Sequence, residues 1–204
     1  MFPVIKIYCD NLANTFKDIS SERKAILEKI ADYITSKRLE NKTINLVYIC
    51  THNSRRSHFG QVWAKVASEY YKIKNVHTFS GGTEATAFNI NAINSLKRVG
   101  FDIKAVNIEK NSIYHVRYDE SLPPIICFSK TYDDSNNPQK EFAAIMTCSD
   151  AEENCPFIPG VDLRVGTTYD DPKAFDNSPL QVSKYDERCK QIALETLYVF
   201  SKVI

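Results

Sequence analysis

The chain has 204 residues, with 26 Lys+Arg against 25 Asp+Glu and a formal net charge of +1. That length suits one domain, or one domain with an appendage, and a balance so near neutral argues against a general nucleic-acid binder or a polybasic membrane-surface protein. Hydrophobic residues make up 43% and charged residues 25%, the profile of a soluble globular protein with enough apolar material for a sizeable core.

Residues 1–42 read as an N-terminal helical extension. Leu27, Ile30 and Ile34 recur at helical spacing, and Ser20 or Ser21 can cap a helix over 22–38. The start, Met1 to Asp10, lacks the basic, apolar and small-residue regions of a signal peptide. No apolar run approaches the ~18 residues of a membrane span. The expected location is the cytoplasm, where thiols are kept reduced.

Ile44-Asn-Leu-Val-Tyr-Ile-Cys50 reads as a buried strand, and 57–71 as a helix with Phe59, Trp63, Val66 and Tyr70 along one face. A second short strand is expected over 76–80, closed by Gly81-Gly82, and a second helix over 88–99 with Gly100 as its C-cap. Alternating strand and helix implies a parallel sheet. Residues 108–140 break this pattern. Candidate strands at 113–118 and 125–128, with turn chemistry at 132–138, predict an inserted hairpin. The sheet resumes at 142–147 and again near 162–165. A closing amphipathic helix over 179–204 turns Cys189, Ile192, Thr196 and Phe200 inward. The expected fold is a three-layer α/β sandwich with a four-stranded parallel sheet. Residues 43–204 form the main domain, interrupted by the insertion at about 110–140.

Six cysteines need a reason: Cys9, Cys50, Cys127, Cys148, Cys155 and Cys189. A disulfide framework suits a small secreted chain. Zinc needs Cys or His pairs at short spacing, and the chain has no Cys-x-x-Cys or His-x-x-x-His pair. A mixture of structural and catalytic thiols remains.

The segment Cys50-Thr-His-Asn-Ser-Arg-Arg56-Ser57 ends a predicted strand and opens a predicted helix. A helix N-terminus offers unpaired N–H groups and partial positive charge. A loop wrapped there forms a nest for a tetrahedral oxyanion. Arg56 can grip two oxygens with its planar fork, and the same field favours a thiolate at the strand end. Nucleophile and oxyanion cradle together suit attack on a bound phosphate-like group. The plainer alternative is a core thiol beside surface arginines.

This loop resembles the active-site loop of the low-molecular-weight protein tyrosine phosphatase superfamily, which includes the thioredoxin-coupled arsenate reductases. The family's loop reads Cys-x-Gly-Asn-x-x-Arg-Ser. Phe79-Ser-Gly-Gly-Thr-Glu84 and Asn91-Ala-Ile-Asn-Ser-Leu-Lys97 are similar to its second strand and helix. The resemblance spans roughly 44–204. It implies that Cys50 is the nucleophile and that Thr51, His52, Asn53, Ser54, Arg55, Arg56 and Ser57 form the cradle. Within it, Asn53 shapes the loop and Ser57 hydrogen-bonds the thiolate.

Cys148-Ser-Asp-Ala-Glu-Glu-Asn-Cys155-Pro156 is similar to the redox segment of the arsenate reductases, a segment the phosphatases do not need. An extended chain holds two thiols seven positions apart beyond the ~7 Å Cα reach of a disulfide, so a bridge demands a folded or mobile loop. Asp171, in Tyr169-Asp-Asp171-Pro172, matches the family's general acid. The resemblance therefore implies a relay in which Cys50 attacks arsenate, Cys148 attacks Cys50, and Cys155 attacks Cys148. No cofactor is bound, and an external dithiol, thioredoxin, closes the cycle. Phosphoester hydrolysis through Cys50, Arg56 and Asp171 is the alternative, and a non-catalytic oxyanion-binding module is a third reading. Cys9, Cys127 and Cys189 are assigned to packing.

Three departures from the family are expected to matter. His52 replaces the loop glycine, whose freedom at positive φ histidine lacks; either the loop changes shape or the ring touches the anion. Arg55 replaces a residue that is often cysteine and makes the cradle more positive. Gln61 stands where some arsenate reductases have a potassium-ligating glutamate, so no metal is expected. The insertion is long enough to form a lid.

Overall fold

The computed structural model describes residues 1–154 and 157–203. The chain opens with helices α1 (Pro3–Ala13) and α2 (Ser21–Leu39). Ser20 caps α2, its hydroxyl accepting from the Arg23 N–H at 3.1 Å. Strand β1 (Ile44–Cys50), helix α3 (Arg56–Tyr70), strand β2 (Val76–Gly82) and helix α4 (Ile90–Val99) follow. Gly100 ends α4 in the left-handed region at φ 118°, and a Cβ there would meet Val4 Cγ1 at 2.3 Å. The chain then makes β3 (Asp102–Ala105), β4 (Tyr114–Arg117), β5 (Ile125–Cys127) and β6 (Phe142–Met146). It closes with α5 (Ser149–Asn154), β7 (Val161–Gly166), a 3-10 turn over Pro172–Phe175 and the long α6 (Gln181–Ser201).

Four strands form a parallel sheet in the order β2-β1-β6-β7. Along β1, alternate residues enter different apolar clusters, as a period of two requires. Ile44, Leu46 and Tyr48 join the larger core with α1–α4 and α6, whereas Val47 and Ile49 face a smaller one with Met146, Cys148 and Ala151 of the α5 side, which Cys50 joins where the strand ends and the alternation stops. Both faces of the sheet are covered, which explains the nearly continuous hydrophobicity of β1. Ile5, Cys9 and Leu12 of α1 and Leu27, Ile30 and Ile34 of α2 lie in the same cluster as Ile192 of α6, whose inward face carries Cys189, Thr196 and Phe200 as expected.

The insertion differs from a simple hairpin. β4 and β5 pair antiparallel, with Tyr114 opposite Cys127, but β3 adds to β4 and makes a three-stranded sheet. Asp102-Ile-Lys-Ala105 buries only Ile103, so local pattern did not mark it; its pairing is what defines it. Among the described residues, no helix is long and apolar enough to cross a membrane.

Candidate active site

β1 and β6 are neighbours, with Ile49 opposite Met146, and their continuations diverge. From β1 the chain leaves toward β2 through α3; from β6 it leaves toward β7 through α5. Such a switch point opens a crevice at the carboxyl ends of the strands. Cys50 ends β1 and Cys148 lies just past β6, so the topology delivers both thiols to this crevice. Thr51 links them: its hydroxyl lies 3.4 Å from Cys148 Sγ and donates to Asp150 Oδ2 at 2.7 Å. The Ala151 N–H also points at Cys148 Sγ, at 3.4 Å.

Cys50 Sγ lies 3.1 Å from Ser57 Oγ, and Asn53 Nδ2 donates to the same hydroxyl at 2.9 Å. Asn53 adopts φ 43°, and its Oδ1 accepts from the Lys130 N–H at 2.9 Å. Asn53 is thus the residue that bends the loop. His52 is not among the positive-φ residues, which removes the steric objection to histidine. Its ring does not enter the cradle either: Nε2 meets Glu84 Oε1 at 3.1 Å on the open side of the loop. The close approach falls instead on Gly82, where a Cβ would meet Thr51 O at 2.6 Å and Asn53 N at 2.7 Å.

Arg56 is buried, and its fork takes hold of the Asp-Pro loop. Nη1 donates to Tyr169 O and Nη2 to Asp171 Oδ2, both at 2.7 Å. Asp171 Oδ1 meanwhile accepts from the Lys173 N–H at 3.0 Å and caps the 3-10 turn. Nucleophile loop and carboxylate are therefore joined through one guanidinium. Arg56 Nε has no partner among the described residues; an oxyanion that takes Nη2 competes with Asp171 for it.

Arg55 does not enrich the cradle as the sequence suggested. Its Nε donates to Tyr185 Oη at 2.9 Å, and its guanidinium lies 3.8 Å from Asp176 and 3.9 Å from Asp171. Two carboxylates thus offset its charge. Ser54 Oγ donates to Ala87 O at 2.7 Å. The side chains of 51–55 are spent on holding the loop, and the oxyanion capacity resides in main-chain N–H groups and Arg56. Among the described residues, the N–H groups of Asn53 to Ser57 have no protein acceptor, as expected where a loop enters a helix.

A pocket of about 590 Å³ opens over Arg56, Cys148, Asp150, Asp171, Phe175 and Arg188. No residue of the insertion lines it, so the insertion is not its lid. Ser129 and Lys130 instead brace the loop from behind: Ser129 Oγ donates to His52 O at 3.0 Å, and Gly82 N donates to Lys130 O at 2.9 Å. Sequence reasoning missed these two supports, as it missed Tyr185; no periodic or motif signal marks them. Cys155, assigned as the third thiol, lies outside the described residues.

The chain is 30% identical over 135 residues to arsenate reductase 2 of Staphylococcus epidermidis, covering 66% of this chain and 81% of that protein. Against the arsenate reductase of Bacillus subtilis it is again 30% identical over 135 residues, covering 66% and 76%. The chain belongs to the arsenate reductase family. No protein-family profile matches it. Solved structures of arsenate reductases and of low-molecular-weight protein tyrosine phosphatases carry the same fold. A low-molecular-weight phosphotyrosine phosphatase from Vibrio cholerae superposes with a TM-score of 0.52 at 12% identity, covering 78% of this chain and 95% of the other. An arsenate reductase in its phosphate-binding state gives 0.50 at 14% identity, covering 79% and 100%.

Proposed function

We propose that the protein reduces arsenate to arsenite by a three-thiol relay through Cys50, Cys148 and Cys155. The observation that supports this reading is the placement of Cys50 and Cys148 at the carboxyl ends of the adjacent strands β1 and β6, with the hydroxyl of Thr51, the residue after Cys50, 3.4 Å from Cys148 Sγ.

Arsenate enters the loop and takes the Arg56 fork, which frees the Asp171 carboxyl to face the leaving oxygen. The Cys50 thiolate attacks arsenic, forming an S–As bond. An As–O bond breaks, and Asp171 supplies the proton with which the oxygen leaves as water. The Cys148 thiolate then attacks Cys50 Sγ. A Cys50–Cys148 disulfide forms, the S–As pair stays on arsenic, and arsenite departs with the two electrons. Cys155 attacks Cys148 Sγ and expels the Cys50 thiolate, leaving a Cys148–Cys155 disulfide. A thioredoxin-like dithiol of the cytoplasm reduces that bond by the same exchange. The last exchange requires the Cα atoms of Cys148 and Cys155 to come within the ~7 Å reach of a disulfide.

The test couples arsenate to NADPH consumption through thioredoxin and thioredoxin reductase. Cys155→Ser is expected to abolish multiple turnover while leaving hydrolysis of an aryl phosphate nearly intact. Equal NADPH consumption by parent and Cys155→Ser sinks the relay.

One observation favours a second reading, phosphomonoester hydrolysis. The pocket of about 590 Å³ beside Arg56 and Asp171 exceeds what an inorganic oxyanion needs and has room for an ester's leaving group. That activity uses Cys50, Arg56 and Asp171 alone, and Cys148→Ser leaves it unchanged.

A further inference from the structure

A second pocket, of about 500 Å³, lies on the far side of the nucleophile loop, between the edge strand β2, α3 and the inserted sheet. Its size falls within the range of small-molecule sites. Its walls are apolar, built from Phe79, Pro123, Pro124, Ile126 and Phe128, and Lys130 joins them. Lys130 is only 4% exposed. Its Nζ stands 4.4 Å over the Phe128 ring and has no hydrogen-bond acceptor or carboxylate partner among the described residues.

Among the described residues no carboxylate pairs directly with this ammonium. Burial pushes the neighbouring Cys127 thiol up to about 12, so it stays uncharged. Asp134 is the carboxylate whose charge acts on Lys130; its Oδ1 accepts from Asn136 N and Nδ2, each at 2.8 Å, and it forms no ion pair with the ammonium. At the rim, Lys65 and Glu69 cancel one another at 2.7 Å. Desolvation accordingly pulls the Lys130 pKa down. A buried cation without a directly paired carboxylate is costly, yet its main chain fixes it here. Lys130 N donates to Asn53 Oδ1 and Lys130 O accepts from Gly82 N, both at 2.9 Å.

We propose that this pocket binds a small carboxylate with an apolar, aromatic or branched aliphatic body. The carboxylate pairs with Lys130 Nζ while the body lies on Phe79, Pro123 and Ile126. A single ammonium among apolar walls matches a single negative charge. It suits a phosphate or arsenate dianion less well, because Gln61 Nε2 and Asn136 Nδ2 on the lining already donate within the protein. The site is therefore chemically distinct from the crevice of Cys50, and its test needs no turnover.

Binding of 4-phenylbutyrate is measured by calorimetry and by amide chemical shifts in phosphate buffer, which keeps the oxyanion cradle engaged. The expected result is saturable binding with shifts at Ile126, Phe128 and Lys130. The neutral 4-phenylbutan-1-ol and the bodiless acetate are each expected to bind at least about tenfold more weakly, the scale of one charge-assisted contact. Lys130→Met is expected to lose the same factor. Ile126→Asp, on a wall residue 43% exposed, is expected to weaken binding while sparing the fold, so the test survives if Lys130→Met misfolds. Binding of the alcohol equal to that of the acid overturns the proposal. So does unchanged affinity in Lys130→Met, or stronger capture of an oligoglutamate peptide than of 4-phenylbutyrate.

Discussion

The thiols of this protein occupy two kinds of region. Cys9, Cys127 and Cys189 sit within apolar layers, and burial pushes each of them up to about 12. Cys50 and Cys148 are just as enclosed, at 3% and 1% exposure, but they stand at the carboxyl ends of two adjacent parallel strands. There Ser57 Oγ meets Cys50, and Thr51 Oγ1 with the Ala151 N–H meets Cys148. Cys189 also has donors, the Trp63 indole N–H at 3.3 Å and the Ser95 hydroxyl, and desolvation still dominates it. Fractional burial therefore does not separate these two thiols from the other three. Position at a switch point, beside a loop of unpaired N–H groups and a guanidinium, does.

The sharpest way to break the comparison is to exchange the nucleophile. Cys50→Ser is expected to lower arsenate reduction and aryl-phosphate hydrolysis together, on the order of 10⁶-fold, as for loss of other catalytic nucleophiles. Steady-state rates measure this. Cys127→Ala is expected to leave both rates within a factor of two or so of the parent, because it touches only packing and the weak 3.8 Å contact of its thiol with Gln61 Oε1. If Cys50→Ser retains either activity, the contrast between the two regions collapses.

Asp171→Asn comes next. Loss of a general acid is worth ~10²–10⁴-fold, and the loss should be smallest for substrates whose leaving group needs no proton. A nitrophenyl ester against an alkyl phosphate measures that difference. Equal losses on both esters would mean that Asp171 acts through its 2.7 Å bond to Arg56 rather than as an acid.

The packing thiols are tested through stability. Cys189→Ser puts a more polar hydroxyl into a closed apolar site and is expected to cost ~1–3 kcal/mol in urea titrations, with unchanged activity at saturating substrate. A larger activity loss than stability loss would move Cys189 out of the packing group.

How far the sequence disclosed these regions depends on the range of the interaction. β1, α3 and the Cys50 loop were legible because their signals are local: a β-branched apolar run, a cysteine six residues before an arginine, and a helical stripe. Gly100 was legible because only its C-cap geometry needs a left-handed residue. β3 was not, since Asp102-Ile-Lys-Ala105 becomes a strand through its partner Val116 and neighbours rather than through its own pattern. The role of Arg55 was misjudged for the same reason. Its partner, Tyr185, lies 130 positions away, and no local rule places it. The braces Ser129 and Lys130 come from an insertion whose docking side no periodicity specifies.

A last contrast concerns acid sensitivity, and His58 carries it. Its ring is fully buried behind the loop, stacked 4.0 Å from Phe88, with Nδ1 3.2 Å from Ser80 Oγ. Desolvation first, and the Lys130 ammonium second, hold its pKa down at about 3, against an ordinary 6.5. The folded state thus keeps the ring neutral while the unfolded chain takes up a proton below pH 6.5. Stability from this group is complete above that pH and drains as pH falls toward 3. The slope approaches about 1.4 kcal/mol per pH unit once the unfolded ring is protonated. Urea titrations between pH 7 and pH 5, above most carboxylate titrations, isolate it. His58→Asn, which keeps a polar group near Ser80 but cannot titrate, is expected to flatten the decline over that interval. If the variant and the parent lose stability in parallel, the acid sensitivity resides elsewhere and the loop's rear wall is not its source.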